Sequence, residues 1–353
     1  MSSAKLPECS IPIFTTVASY REWRREAHDA KQKVGFVATM GALHDGHLAL
    51  VKRSLAENDL TVLSIFVNPA QFAPHEDLAT YPSTLPRDLE LLSAMSLPVN
   101  VQGSNGPLVR KPSAVFLPTV LEMYPSGISQ TISEQKGTFV DVKGYEHQME
   151  GKSRPTFFRG VATVVTKLFN AIEPTQTYFG QKDIQQALLL RRMTRDMLLS
   201  HPLPDKLHIV PTVRDLTSSL ALSSRNAYLT PHEREVAAPV LHSALQVSKT
   251  AWQNGASKQE CIRQACTLIT DTAEKANASG GDDKIDIRLD YIELNDPETF
   301  DVLPEEASRA QWESEGSEGK GRPVILSGAM WVGRTRLIDN IILGDTRKLG
   351  IIE

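Results

Sequence analysis

VGFVATMGALHDGHLALV, residues 34–51, runs from a largely apolar stretch into a turn with two glycines and two histidines, then into apolar residues at helical spacing. VGFVAT reads as a short strand buried on both faces, the kind found in parallel sheets. Leu48, Val51 and Leu55 recur with helical period, so a helix opens at the histidines. LTVLSIFVN, residues 60–68, is the next strand and is ended by Pro69. The three pieces form a strand–helix–strand unit of about 35 residues, the crossover that parallel strands need.

The turn itself points to an anion. A helix N-terminus presents unsatisfied N–H groups and partial positive charge, which suits phosphate. Gly41 and Gly46 allow a ligand close to the backbone. His44 and His47, three apart, share one helical face, so both rings can donate to one anionic group. Two other readings of the pair are a zinc site, for which HxxH lacks a third ligand, and two unrelated surface histidines.

Outward from this unit the pattern continues. RDLELLSAM is helical and AVFLPT is a strand. GVATVVTKLFNAI is an amphipathic helix stopped near Pro174, QTYFGQKD is a strand ending in glycine, and IQQALLLRRMTRDM is a helix before the strand LHIVPTV. Alternating strands and helices predict an α/β fold, a Rossmann-like doubly wound parallel sheet over residues 1–212. Ligands of such sheets bind beyond the carboxyl ends of the strands.

After residue 213 the pattern changes to a smaller C-terminal α+β domain, residues 213–353. SRNAYLTPHEREVAAPVLHSALQVSKTAWQNG reads as helical, with Pro231 near the first helical position. IDIRLDYIELNDPETFDVL alternates like a half-exposed strand, and VILSGAMWVGRTRLIDNIIL is also strand-rich. The polar PEEASRAQWESEGSEGKGRP, residues 304–323, reads as a mobile surface insertion, and ASGGDDK as a shorter loop.

The composition bounds the partners. Of 353 residues, 41% are hydrophobic and 23% charged, and the net charge of −4 offers no basic excess for nucleic acid. Three cysteines, Cys9, Cys261 and Cys266, fit no zinc spacing and suggest a reducing compartment. No apolar run is long enough for a membrane span, and MSSAKLPECSIPIF lacks a signal-peptide core. A cytoplasmic enzyme acting on small molecules is expected.

Three further motifs carry chemistry. YFGQKD sets Lys182 and Asp183 past a strand end, where lysine can meet phosphate and aspartate a ribose hydroxyl; a solvated turn is the plainer reading. ALSSRN gathers Ser223, Ser224 and Arg225, suited to a triphosphate, or to a helix cap made by one of the serines. FVNPAQF places Asn68 and Gln71 at a strand end, where they can orient a polar substrate or cap a turn.

In combination and order, HDGH, NPAQF, GQKD and LSSR resemble the pantothenate synthetase (pantoate–beta-alanine ligase) family, within the HxGH nucleotidyltransferases. The resemblance covers nearly the whole chain, through MYPSG, RGVATVVTKLFN, YFGQKDIQQ, ALSSRNAYL, DYIEL and TRLIDNIIL. It implies ATP-dependent condensation of pantoate with beta-alanine through pantoyl adenylate, releasing pyrophosphate and then AMP. It implies that Met40, Gly41, Ala42, Leu43, His44, Asp45, Gly46 and His47 contact ATP, with His47 a proton donor. Gly180, Gln181, Lys182, Asp183, Val213, Leu222, Ser223, Ser224 and Arg225 also contact the nucleotide. Among these, His44, His47, Lys182 and Arg225 carry the catalysis. Gln71 and Gln186 hold pantoate, Gln71 also lies beside beta-alanine, and Asn68 joins the pantoate and beta-alanine contacts. Mg2+ arrives with ATP, with Asp88 the candidate carboxylate. The family is usually a homodimer, and the C-terminal domain serves as a lid.

This chain departs from the family pattern in four places. Ala38 replaces a proline, Gln181 replaces a glutamate, and the loop between Arg214 and Leu222 is one residue longer. Phe157, in RPTFFRG, stands where the family commonly has histidine, which removes a hydrogen-bonding group near the site. Two other functions fit the motifs: a nucleotidyltransferase making a different adenylate, and a weakly active or regulatory nucleotide-binding homologue.

Overall fold

In a computed structural model of the chain, residues 7, 9–100, 106–278, 284–315 and 319–351 are described. The start of the N-terminal stretch, most of the ASGGDDK loop and residues 316–318 of the expected insertion lie outside the described residues.

The opening stretch folds as its pattern predicts. VGFVAT is strand β2 (Val34–Thr39), following the short β1 (Ile13–Phe14). The helix Asp45–Glu57 leads to β3 (Leu60–Ile65). β2 and β3 pair parallel and in register, from Val34 opposite Leu60 to Thr39 opposite Ile65. Leu50, Val51 and Leu55 of the helix bury against Val37 and Leu63 of the strands, so the helical spacing is the spacing of the core.

β4 (Leu97–Val99) and β5 (Leu108–Arg110) make a separate antiparallel ribbon. β6 (Ala114–Phe116), β7 (Gln176–Gly180) and β8 (Leu207–Val210) complete a six-stranded parallel sheet ordered β1–β6–β3–β2–β7–β8. The chain therefore goes from β2 to β3 on one side and later lays β7 on the other. That reversal is a topological switch point, and the MGALHDGH turn follows β2 there.

Two compact units result. The first comprises residues 1–146, 151–179 and 189–210; the second comprises 147–150, 180–188 and 211–353. In place of a single break at 212/213 the chain passes between the units five times, with Glu150 paired to Arg336 and the Gln181–Lys182 turn bonded to Asn340 inside the second unit.

The second unit holds an antiparallel sheet of β9 (Ile287–Asn295), β10 (Val324–Val332) and β11 (Thr335–Leu343), in the order β11–β10–β9. VILSGAMWVGRTRLIDNIIL is a hairpin, with Val332 opposite Thr335. Leu241 and Leu245 of the helix Val240–Gln253, and Cys261 and Ala265 of Lys258–Ala278, share a core with Leu326 and Met330 of the sheet.

Two readings of this half change. The helical stretch after Ser224 is three pieces: a 3-10 turn Ser224–Tyr228, a π turn Glu233–Ala237, and the helix Val240–Gln253. Pro231 sits inside a capping box, where Thr230 Oγ1 accepts the Glu233 N–H and the Glu233 carboxylate accepts the Thr230 N–H. The polar segment 304–323 is not a structureless insertion. It contains the helix Arg309–Glu315, whose Trp312 is buried. The Trp312 indole N–H donates to Pro323 O at 3.3 Å, and the Arg322 guanidinium lies 3.4 Å over the ring. Lys258 N–H donates to Ala307 O at 2.7 Å, so the segment also caps the core helix Lys258–Ala278.

No helix among the described residues is long and apolar enough to cross a membrane.

Candidate active site

In the first unit the two histidines form the helix cap. His44 is the N-cap residue of Asp45–Glu57, and its Nδ1 accepts the Gly46 N–H at 3.1 Å. His47 Nδ1 accepts the His44 N–H in return at a longer 3.4 Å. This is a capping box built from imidazoles, with ring centroids 4.1 Å apart. A backbone N–H can only donate, so both Nδ1 atoms must be unprotonated. The neutral rings then carry their protons on Nε2, as donors.

The turn before this cap is strained and held. Gly41 has φ +85° and Ala42 φ +50°, the left-handed region, which is costly for alanine. Thr39 Oγ1 accepts the Gly41 N–H, and Asp88 accepts the next two: Ala42 N–H on Oδ2 at 3.0 Å and Leu43 N–H on Oδ1 at 2.8 Å. Thr84 Oγ1 also donates to Asp88 Oδ1, at 3.0 Å. Both oxygens of this buried carboxylate serve the turn, which argues against the reading of Asp88 as a metal ligand. Among the described residues no group of three or more His, Cys, Asp or Glu is arranged to hold a metal ion.

Asn68 and Gln71 sit on the turn after β3. Asn68 is buried, and its Oδ1 caps the 3-10 turn by accepting the Ala70 N–H. Its Nδ2 donates to Gln71 Oε1 at 3.1 Å and to Gly160 O at 3.2 Å. Gln71 Nε2 reaches Met40 Sδ at 3.2 Å, so this turn and the histidine turn meet. Gly160 permits that packing, since a Cβ there would stand 2.2 Å from Ala70 O.

Two polar residues without an assigned role in the motifs support this corner. Tyr124, in MYPSG, donates to Asn68 Oδ1 at 2.6 Å; burial pushes its hydroxyl pKa up, which keeps it a donor. Arg154, in RPTFFRG, donates to both carboxylate oxygens of Glu76 and to Gln71 O at 3.1 Å. Its guanidinium lies 3.8 Å over the Phe157 ring. Phe157 therefore stacks under an arginine rather than leaving an empty polar position. The only signal for either residue lay in those two strings.

The remaining nucleotide candidates belong to the second unit. Lys182 Nζ lies 3.5 Å from Asp183 Oδ1 on the 3-10 turn that follows Gly180. Gln186 is half-buried at the start of the helix Ile184–Asp196. Val213 O accepts the Leu222 N–H at 3.0 Å, which closes the loop between them. Ser223 Oγ accepts the Arg225 N–H at 3.3 Å and caps the turn carrying Ser224 and Arg225. The cap thus belongs to Ser223, and its hydroxyl hydrogen remains available to donate.

A pantoate–beta-alanine ligase family model matches residues 12–342. The pantothenate synthetase of Herpetosiphon aurantiacus is 40% identical over 331 residues, 94% of this chain and 99% of that one. The pantoate–beta-alanine ligase of Saccharomyces cerevisiae is 39% identical over 341 residues, with the same coverage. The crystal structure of pantothenate synthetase from Thermus thermophilus matches with a TM-score of 0.71 at 37% identity, covering 94% of this chain and 99% of that one. The pantoate–beta-alanine ligase of Francisella tularensis, in complex with beta-gamma ATP and beta-alanine, matches at 0.66 and 27% identity, covering 94% and 98%. Since the family match spans all but the two ends, this chain belongs to the pantoate–beta-alanine ligase family.

Proposed function

We propose that the chain carries out the family's ligation in two steps. A pantoate carboxylate oxygen attacks the α-phosphorus of ATP, the bond from that phosphorus to the α,β-bridging oxygen breaks, and pyrophosphate leaves. The beta-alanine nitrogen then attacks the acyl carbon of pantoyl adenylate, loses its proton, and expels AMP. Neither step needs a protein nucleophile, so positioning and charge neutralisation are the protein's share.

The imidazole capping box carries this reading. It sets two Nε2–H donors at a helix N-terminus beside the switch point, suited to phosphate oxygens that gain charge as pyrophosphate departs. The resemblance gives His47 a proton-donor role; in the neutral ring its Nε2–H acts as a hydrogen-bond donor, as does that of His44 beside it. Met40 to His47, residues 180–183, Val213 and residues 222–225 are the proposed ATP contacts, with Lys182 and Arg225 supplying cationic charge. Gln71, Gln186 and Asn68 are the proposed contacts for pantoate and beta-alanine.

The Francisella ligase's complex with beta-gamma ATP and beta-alanine supports the same ligands here. Mg2+ is proposed only as the ion that ATP brings, held by phosphate oxygens and water, because Asp88 does not fit as its ligand. A cytoplasmic homodimer is the proposed form. The test is AMP release from ATP, with pantoate and beta-alanine each omitted in turn. AMP should require both; rapid AMP release without pantoate would overturn the assignment.

A further inference from the structure

We propose that Asp339 and Asn340, neighbours on β11, are positioning residues for adenylation, one for each phosphate-binding segment of the second unit. This rests on the reading of residues 180–183 and 222–225 as nucleotide contacts.

Both side chains are buried in a strand that is otherwise apolar around them, with Ile338, Ile341 and Ile342 as neighbours. Buried polar groups at such positions are costly unless bonded. Here bonds from both side chains reach the two loops, and those of Asp339 also meet His242 and the Asn340 N–H. Adjacent strand residues point to opposite faces, so one dipeptide can serve two segments.

Asn340 Nδ2 donates to Gln181 O and to Lys182 O, both at 2.9 Å, and its Oδ1 accepts from Gln181 Nε2 at 3.2 Å. The two carbonyls can only accept, so the amide orientation is fixed. They belong to the peptide units on either side of the Lys182 Cα. Holding both planes sets the direction in which the lysine side chain leaves the backbone. Gln181, where the family has glutamate, completes the clamp by donating to the one atom of Asn340 that accepts.

Asp339 anchors the other segment through Arg214. Arg214 Nη1 donates to Oδ2 at 2.6 Å and Nη2 to Oδ1 at 2.8 Å, a two-pronged contact. His242 Nδ1 lies 3.2 Å from Oδ2, and the Asn340 N–H donates to Oδ1 at 2.7 Å. Arg214 also donates to Ser219 O at 3.2 Å and pairs as a β-bridge with Ala221. The contact therefore fixes the loop at the point where it returns to Leu222 and the Ser-Ser-Arg turn.

The two half-reactions separate positioning from general stability. Phosphate contacts act when pyrophosphate leaves, so Asn340→Ala should slow pantoate-dependent ATP–pyrophosphate exchange. A misplacement of roughly 1 Å costs on the order of 100-fold. Attack of beta-alanine on chemically prepared pantoyl adenylate, measured in a single turnover, should stay near the wild-type rate. If Asn340→Ala does not fold, Asp339→Asn, which keeps the shape and removes the charge, is read in the same two assays. Exchange at the wild-type rate, or both half-reactions falling together, would overturn the proposal. Wild-type protein without pantoate-dependent exchange would instead overturn the underlying reading of the loops.

Discussion

The Asp88 carboxylate accepts the Leu43 N–H at 2.8 Å and so pins the turn that leads to the histidines. It acts across 45 residues of sequence on backbone, not on a side chain. Asp88→Asn keeps one acceptor but turns an amide NH2 toward a backbone N–H. A hydrogen bond to a charged group contributes about 1.5–3 kcal/mol net, so a lower Tm and slower adenylation should follow. The Mg2+ concentration for half-maximal exchange should not move. A shifted Mg2+ midpoint at unchanged Tm would make Asp88 a metal ligand after all.

His44 is the N-cap and the proposed second donor to phosphate, two tasks that substitutions separate. Asparagine is a strong N-cap but lacks an imidazole Nε2–H in the same place. His44→Asn should keep Tm near wild type, whereas His44→Ala should lose roughly 0.5–2 kcal/mol as a missing N-cap does. Both should slow adenylation, by about 10²–10³ if one preorganised contact is lost. Thermal melts beside exchange rates decide it; full activity in His44→Asn would reduce the residue to its cap.

At Phe157 the sequence shows a lost hydrogen-bonding group, and the structure shows what the ring packs against. A missing hydrogen bond would make Phe157→His a gain of about 10-fold, the rate equivalent of 1.4 kcal/mol. The ring is already occupied by the Arg154 guanidinium, which in turn holds Gln71 O. Phe157→His should therefore leave kcat/KM little changed. A tenfold rise in steady-state kinetics would show that a contact is missing.

His208 gives a pH test in the first unit. Burial, the leading cause, lowers its pKa below 6.5, with smaller effects from Lys206, Arg191 and Arg53 opposed by Glu57. Its Nε2 meets Gln176 Oε1 at 3.0 Å and its ring stacks on Tyr178. A depressed folded pKa means the unfolded chain binds the proton more readily. The contribution is thus complete above about pH 6.5 and is lost as pH falls through the folded pKa. His208→Gln should flatten the fall in Tm below that pH; an unchanged slope would assign the acid lability elsewhere.

The sequence made the sheet legible because its signals are local. VGFVAT became β2 residue for residue, and Leu48, Val51 and Leu55 marked the following helix, since periodicity is burial read along the chain. The candidate-site motifs were legible for the same reason: HDGH, NPAQF and SSR are each one turn. What was not legible depends on contacts between distant positions. Asp88 holding Leu43, and Tyr124 holding Asn68 across 56 residues, leave no pattern in either segment. Trp312 is one apolar residue in a polar run, so composition concealed the helix it anchors. The π turn after Thr230 keeps helical spacing while changing the hydrogen bonding, which hydropathy does not register.

The central claim is that adenylation of pantoate stands alone as the first half-reaction, supported by the donor pair at the switch point. ATP–pyrophosphate exchange, with pantoate present and beta-alanine absent, tests it most directly. Exchange should be rapid, should stop when pantoate is withheld, and should not need beta-alanine. Exchange that proceeds only with beta-alanine present, or that proceeds without pantoate, would contradict it.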